Sequence, residues 1–291
     1  LAASKTEVCH VSREQVVNQR SRSRNTDSAL MSNSGSDDRL RSQMFESGNQ
    51  LRFERPVDDM SRRWWLNRFY DTFALTPEGM ADRITKSVPG AKSTVYHFID
   101  GATEAFSLRI DGDFPGTQEY WYAHRSLDLK GSAFNAEGML ISQNKQGEGY
   151  GSALMGDLID TGRLIGVEAI RLRAEQIGRY AWIKMGFLPT ADAWMQMKRE
   201  ALVFILDHDR QLGARANELL RRVHGGGADT ARMLASLDNP VPSRDIPSRF
   251  EPKLIPFGRA FFLEAASPWN GSLDLRDQET MDLVSSYRGK V

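Results

Sequence analysis

Gln146-Gly147-Glu148-Gly149-Tyr150-Gly151 lies between a strand-like run and an amphipathic helix, and the reading of that junction decides the fold. Successive glycines let backbone N–H groups approach a phosphate closely, and the helix that follows adds the partial positive charge of its N-terminus. The structural alternative is a tight turn that needs only small residues. A P-loop is excluded, because no Lys-Ser/Thr pair follows Gly151. A dinucleotide fingerprint is excluded as well: the third glycine spacing is missing, and four strand-like runs precede the cluster rather than one.

Upstream, those four runs cover residues 93–99, 104–110, 119–129 and 133–142, separated by turn-rich segments such as Asp111-Gly112-Asp113-Phe114-Pro115-Gly116. Two helices are expected before them. The first carries Trp64, Trp65, Leu66, Phe69, Tyr70 and Phe73 in one apolar stripe, with Asp59 or Ser61 as its cap. Thr76-Pro77-Glu78 opens the second, with Thr76 as N-cap and Pro77 in the first helical position. Downstream come a helix over 150–162, a strand over 169–173 and a helix over 176–185 closed by Gly186. This order predicts an α/β layer architecture with a mixed sheet flanked by helices.

Beyond Pro189 the pattern becomes helical, over 194–212, 214–224 and 228–237, with Leu202, Ile205 and Leu206 expected on the packed face of the first. These helices read as an insertion over 191–239. Residues 240–291 then supply a proline-spaced linker, a last strand over 259–265 and a tail. At the other end, residues 1–55 are rich in Ser, Arg, Asn, Gln and Asp, and are expected to be a disordered polar arm. The functional rival for that arm is a nucleic-acid tail or a secretion address, which its interleaved acidic residues oppose.

Lys plus Arg and Asp plus Glu each number 38 in the 291 residues, so the net charge is zero and bulk attraction to nucleic acid or anionic lipid is not expected. The longest purely apolar run, 201–206, is far short of a membrane span. The single cysteine, Cys9, can form neither an intrachain disulfide nor a zinc site, which points to a reducing, cytoplasmic setting and no metal.

Gln-x-x-Gly-x-Gly at Gln146, Gly149 and Gly151, followed by a helix, one strand and a helix ending in Gly186-Phe187, resembles the GCN5-related N-acetyltransferase (GNAT) superfamily. The likeness spans about residues 56–190 and is motif-specific over 139–187. This chain has Glu175, Gly178 and Trp182 where family members usually place Asn, Ala and Tyr. The resemblance implies a GNAT-like core over 56–190 and acetyl-CoA, or another acyl-CoA, as acyl donor. Backbone groups of Met139, Leu140 and Ile141 would pair with its pantetheine arm. The loop of Gln146, Gly147, Glu148, Gly149, Tyr150 and Gly151 would hold its pyrophosphate, with Trp182 beside the cofactor. An amine of a small molecule, a protein or a modified nucleobase would attack the thioester directly.

For the general base, Glu137 is the first choice. It lies at an even spacing from Asn135 and Met139, so all three are expected on one strand face. Family members that use a carboxylate base often carry it two residues earlier, where this chain has Asn135. His97 and His124 are alternative bases, with a satisfied sheet histidine as the plainer reading of each. An indole N–H is too weak an acid to protonate a thiolate, so Tyr180 is the substitute for the Tyr missing at Trp182. It lies about 200° around the helix from that position. The rival reading of the whole chain is a GNAT-like interaction module without catalysis, such as a virion or effector component.

Overall fold

The computed structural model describes residues 41–48, 50–88, 91–243 and 253–288. Chain contacts divide the molecule into a unit over 1–43 and a unit over 44–291, and the described fold is that of the second. Much of the arm expected over 1–55 lies outside the described residues, but Phe45 is buried and Leu51–Phe53 forms a strand, β1, parallel to the next strand in the sheet. Order therefore begins upstream of Pro56.

The first helix, α1 (Asp59–Trp65), continues through a π-helical turn, Leu66–Tyr70, into Asp71–Phe73. Its cap is Asp58, whose carboxylate accepts the Ser61 N–H at 2.7 Å, rather than Asp59 or Ser61. Asp58 is the residue with extended backbone, as the cap position requires. Thr76 caps α2 (Pro77–Arg83) as expected, accepting from the Gly79 N–H at 2.9 Å.

Four antiparallel strands follow: β2 (Ala91–Asp100), β3 (Ala105–Asp113), β4 (Tyr120–Asp128) and β5 (Ala133–Ile141). Helix α3 (Tyr150–Ile165) crosses over to β6 (Ala169–Ala174), which is parallel to β5. Helix α4 (Gly178–Met185) leads to the short β7 (Leu188–Pro189). Helix α5 (Ala191–Asp207), a single helical turn (Asp209–Leu212), α6 (Arg215–Gly225) and α7 (Thr230–Ala235) precede a small hairpin of β8 (Pro240–Pro242) and β9 (Leu254–Pro256). On α5, Phe204 and Ile205 are buried but Leu206 is 59% exposed, so Leu206 does not belong to the packed face.

The expected last strand over 259–265 is helical instead: α8 (Phe257–Ala260) runs into a π-helical turn, Phe261–Ala265. A short apolar run does not declare its period. Here Phe257, Ala260 and Phe261 are buried together at helical spacing against the core. The strand that completes the sheet is β10 (Trp269–Asp274), in which Trp269, Gly271 and Leu273 are buried and Asn270, Ser272 and Asp274 exposed. β10 lies antiparallel between β6 and β7, and α9 (Gln278–Arg288) follows it.

Among the described residues this is one mixed eight-stranded sheet, in the order β1-β2-β3-β4-β5-β6-β10-β7, flanked by helices, as the resemblance implied. Its core face carries a register row of His97, Leu108, Arg125, Ala136 and Leu172. An aromatic cluster covers that face: Trp65 stacks 4.7 Å from Phe69 and 5.2 Å from Phe106, and its indole N–H donates to Leu75 O at 2.9 Å. The opposite face of β2–β5 carries Tyr96, Arg109, Tyr122, His124 and Ser126, all half-buried or exposed.

Candidate active site

β5 organises the site because it changes partners along its length. Its parallel ladder with β6 runs only from Ala133↔Ala169 to Ala136↔Leu172, although β5 continues to Ile141 and β6 to Ala174. The strands part at Glu137. On its other side β5 stays paired with β4, but the register steps there: His124 pairs with Gly138 and Arg125 with Ala136. Glu137 is thus the extra residue of a β-bulge, the device that bends a strand and re-aims its side chains.

The bulge corrects one expectation. Asn135 and Glu137 do share a face, the open one, whereas Met139 pairs with buried Ala123 and lies on the core face. One extra residue inverts the alternation beyond it. Leu140 pairs with Tyr122 and is 46% exposed on the open side, and Ile141 pairs with buried Trp121.

Glu137 is held by two neighbours on that open face, one of them braced by a third residue. Its Oε1 accepts from the Ser126 hydroxyl, and its Oε2 lies 3.1 Å from His124 Nδ1. Asn135 Nδ2 donates to Ser126 Oγ at 3.2 Å. From the core face, Arg125 Nη1 donates to His124 O at 2.8 Å and to Gly138 O at 2.7 Å, clamping the two residues that pair across the bulge. Burial pulls the Arg125 guanidinium down to about 10, and among the described residues Arg125 Nη2 has no hydrogen-bond partner.

Beyond Ile141 a 3₁₀ turn, Gln143–Lys145, leads into the glycine loop. Gly147 and Gly149 both have φ +87°, a left-handed conformation that strains any residue with a Cβ. Gly149 is the N-cap of the 16-residue α3 and offers no capping side chain, so the N–H groups of Tyr150, Gly151 and Ser152 have no acceptor within the helix. A Cβ on Gly151 would stand 3.2 Å from Met139 Cε, which ties the helix start to the free part of β5. Tyr150 stacks 4.8 Å from Phe114, anchoring the loop to the β3–β4 turn. Gln146 is exposed but folds back on the chain, its Nε2 donating to Ile141 O at 3.0 Å, and so fastens the loop to the strand end. Glu148 carries a charge of the wrong sign for a phosphate loop, but Lys145 Nζ lies 3.2 Å from it.

The two aromatic residues of α4 part company. Trp182 is buried, 6.1 Å from Phe187 and with its indole over Gly178, where a Cβ would stand 2.7 Å from Nε1. Tyr180 packs 6.4 Å from Phe262 of the π-helical turn, and burial raises its phenol above the ordinary value while Arg259 pulls it back. His97 belongs to the core: it is fully buried among Trp65, Phe106 and Phe53, and burial pushes it down to about 3. It is a sheet histidine, yet among the described residues neither ring nitrogen finds a hydrogen-bond partner of good geometry, and the Phe98 backbone offsets the burial only in part.

Sequence reasoning missed the pairing of His124 with Glu137, the clamp of Arg125 and the Lys145 counter-charge. Only for Lys145 was there a usable signal, its spacing of three from Glu148 across a turn. Among the described residues, no helix is long and apolar enough to cross a membrane.

Fold and site together define an α/β protein whose mixed sheet opens beside a glycine-rich strand–helix junction. No protein-family model matches the chain, and no curated protein matches it. Among solved structures it is similar to nourseothricin acetyltransferase, with 20% identity over 30% of this chain and 52% of that one, at a TM-score of 0.26. The chain thus spans about half the length of that enzyme, and so partial an overlap carries no argument about activity.

Proposed function

We propose that the protein is an acyltransferase that moves an acetyl or other acyl group from acyl-CoA to an amine in a ternary complex. The observation that carries this reading is the parting of β5 from β6 at Glu137, with the freed strand running into an uncapped glycine loop. A strand edge without a ladder partner offers the donors and acceptors that an extended, amide-bearing arm such as pantetheine needs. Met139, Leu140 and Ile141 supply that edge, although the Ile141 carbonyl is already engaged by Gln146. The N–H groups from Gly147 to Gly151 point a helix terminus at a pyrophosphate, and Lys145 offsets Glu148 beside them. No side-chain anion hole is required; the fit is a matter of backbone and of missing Cβ atoms.

An acceptor amine is mostly protonated at neutral pH and must lose its proton to attack. Glu137, directly or through a group it holds, takes up that proton at the mouth of the opening. Tyr180 remains the hydroxyl of α4 for the leaving thiolate, but its packing on Phe262 and raised pKa make it a weak donor, and a thiolate leaves without one. Calorimetry with CoA, then thiol release from acetyl-CoA over a panel of a primary alkylamine, an amino sugar and a lysine peptide, tests the reading. Saturable CoA binding and amine-dependent thiol release are expected, and Glu137→Gln should lower turnover by about 10²-fold. CoA binding without transfer to any amine would favour a non-catalytic module of the same fold. No CoA binding would remove the donor assignment altogether.

A further inference from the structure

We propose that His124 Nε2, rather than a carboxylate oxygen of Glu137, is the atom that receives the acceptor's proton, and that Glu137 is its positioning residue. The inference rests on the acyltransferase reading above.

The argument starts from hydrogen-bond inventory. An ionised carboxylate accepts but does not donate, so with Glu137 Oε2 at 3.1 Å from His124 Nδ1 a neutral imidazole is favoured with its hydrogen on Nδ1. In that tautomer Nε2 is the nitrogen that carries the lone pair. No described residue hydrogen-bonds to Nε2. Glu137 Oε1 is meanwhile occupied by the Ser126 hydroxyl, itself held by Asn135. Both carboxylate oxygens are therefore engaged along a chain running Asn135, Ser126, Glu137, His124, and the free basic atom is at its end. This is the division of labour of a base whose orientation is set by a carboxylate.

The backbone is arranged for the same end. Arg125 reaches the carbonyls of His124 and Gly138 with one nitrogen, fixing the strand pair that carries the imidazole. The residue paired with His124 is Gly138, which adds no side chain between the ring and the start of the opening. The Tyr122 ring leans over that glycine, with Cε1 3.0 Å from where a Cβ would stand. The His124 side chain is 32% exposed, so an amine arriving over the open sheet face has access to it.

The step balances as follows. The ammonium acceptor gives a proton to Nε2, and its freed nitrogen pair forms a C–N bond at the thioester carbonyl carbon. The C–S bond breaks, the second amine proton passes to solvent, and the imidazolium returns its proton to the thiolate. The products are the amide, the free thiol and one released proton.

The test combines structure and rate on the full chain. Long-range ¹⁵N–¹H spectra should show His124 as the Nδ1–H tautomer in the parent and a mixture or the Nε2–H form in Glu137→Ala. With acetyl-CoA and the amines of the panel, His124→Ala should lower kcat about 10²-fold at unchanged CoA affinity by calorimetry, and added imidazole should restore part of the rate. Retained CoA binding shows that the variant has folded. Transfer at the parent rate by His124→Ala, or a parent Nε2–H tautomer, overturns the proposal while leaving the acyltransferase reading standing. A parent that binds no CoA and acylates no amine overturns the reading, and the role of His124 with it.

Discussion

His97 makes the sharpest physical prediction, because its imidazole is fully buried and the Phe98 backbone offsets that burial only in part. Burial lowers its pKa from the ordinary 6.5 to about 3, so the folded protein keeps it neutral where the unfolded chain protonates it. Between those values the unfolded state binds the extra proton, and stability must fall as the pH falls. At pH 5 the gap to 6.5 is 1.5 units, and at about 1.4 kcal/mol per unit the loss is about 2 kcal/mol. It grows to about 5 kcal/mol once the pH passes below about 3, and it vanishes above neutrality. The figure at pH 5 depends almost entirely on the unfolded value. The perturbation is His97→Leu, which fills the aromatic cage and removes two unpaired nitrogens. Urea unfolding of both proteins at pH 7 and pH 5 separates this group from the carboxylates, which titrate in both. The parent should lose about 2 kcal/mol more than the variant between the two pH values. At pH 7 the variant should match or exceed the parent, since an unpaired buried polar group costs about 1–3 kcal/mol. Equal pH dependence in the two proteins would mean that His97 is hydrated or hydrogen-bonded in solution, and the reasoning would fail.

Gly149→Val places a β-branched residue at φ +87° and Gly151→Val presses a branched side chain onto Met139, so both should weaken CoA binding at least tenfold in calorimetry, with far-UV circular dichroism unchanged. Equal affinity in both variants would end the phosphate-loop assignment. Asp157 on α3 is fully buried and accepts from both the N–H and the hydroxyl of Ser87, at 2.7 Å each. Asp157→Ala leaves both donors without their acceptor and should cost about 2–3 kcal/mol in urea unfolding; a loss within experimental error would show that water replaces the carboxylate. Trp182→Tyr restores the hydroxyl usual in the resembled family, and should raise kcat only if thiolate departure limits the rate; turnover unchanged within twofold is expected, because Trp182 is buried against Phe187. A large gain would show that an acid was missing.

Much of this was legible in the residues alone. Local signals were enough for Thr76-Pro77 to open a helix, for the strand runs over 93–142, and for the glycine cluster to lie between a strand and a helix. These depend on interactions within a few residues, where chemistry and spacing act directly. Other features needed distant partners. Residues 259–265 are apolar enough for either period, and only packing of Phe257 and Phe261 against the core made them helical. Trp269–Asp274 shows two large apolar residues in six, a weak pattern that became a strand because β6 and β7 leave a slot between them. The bulge at Glu137 depends on the register with β4, so no spacing within β5 could announce that Met139 faces away from it. The same register sets His124 against Glu137 across 13 positions of chain, and Arg125 beneath them both. Periodicity is a property of a segment, whereas a bulge, a slot and a proton-carrying pair are properties of two segments brought together.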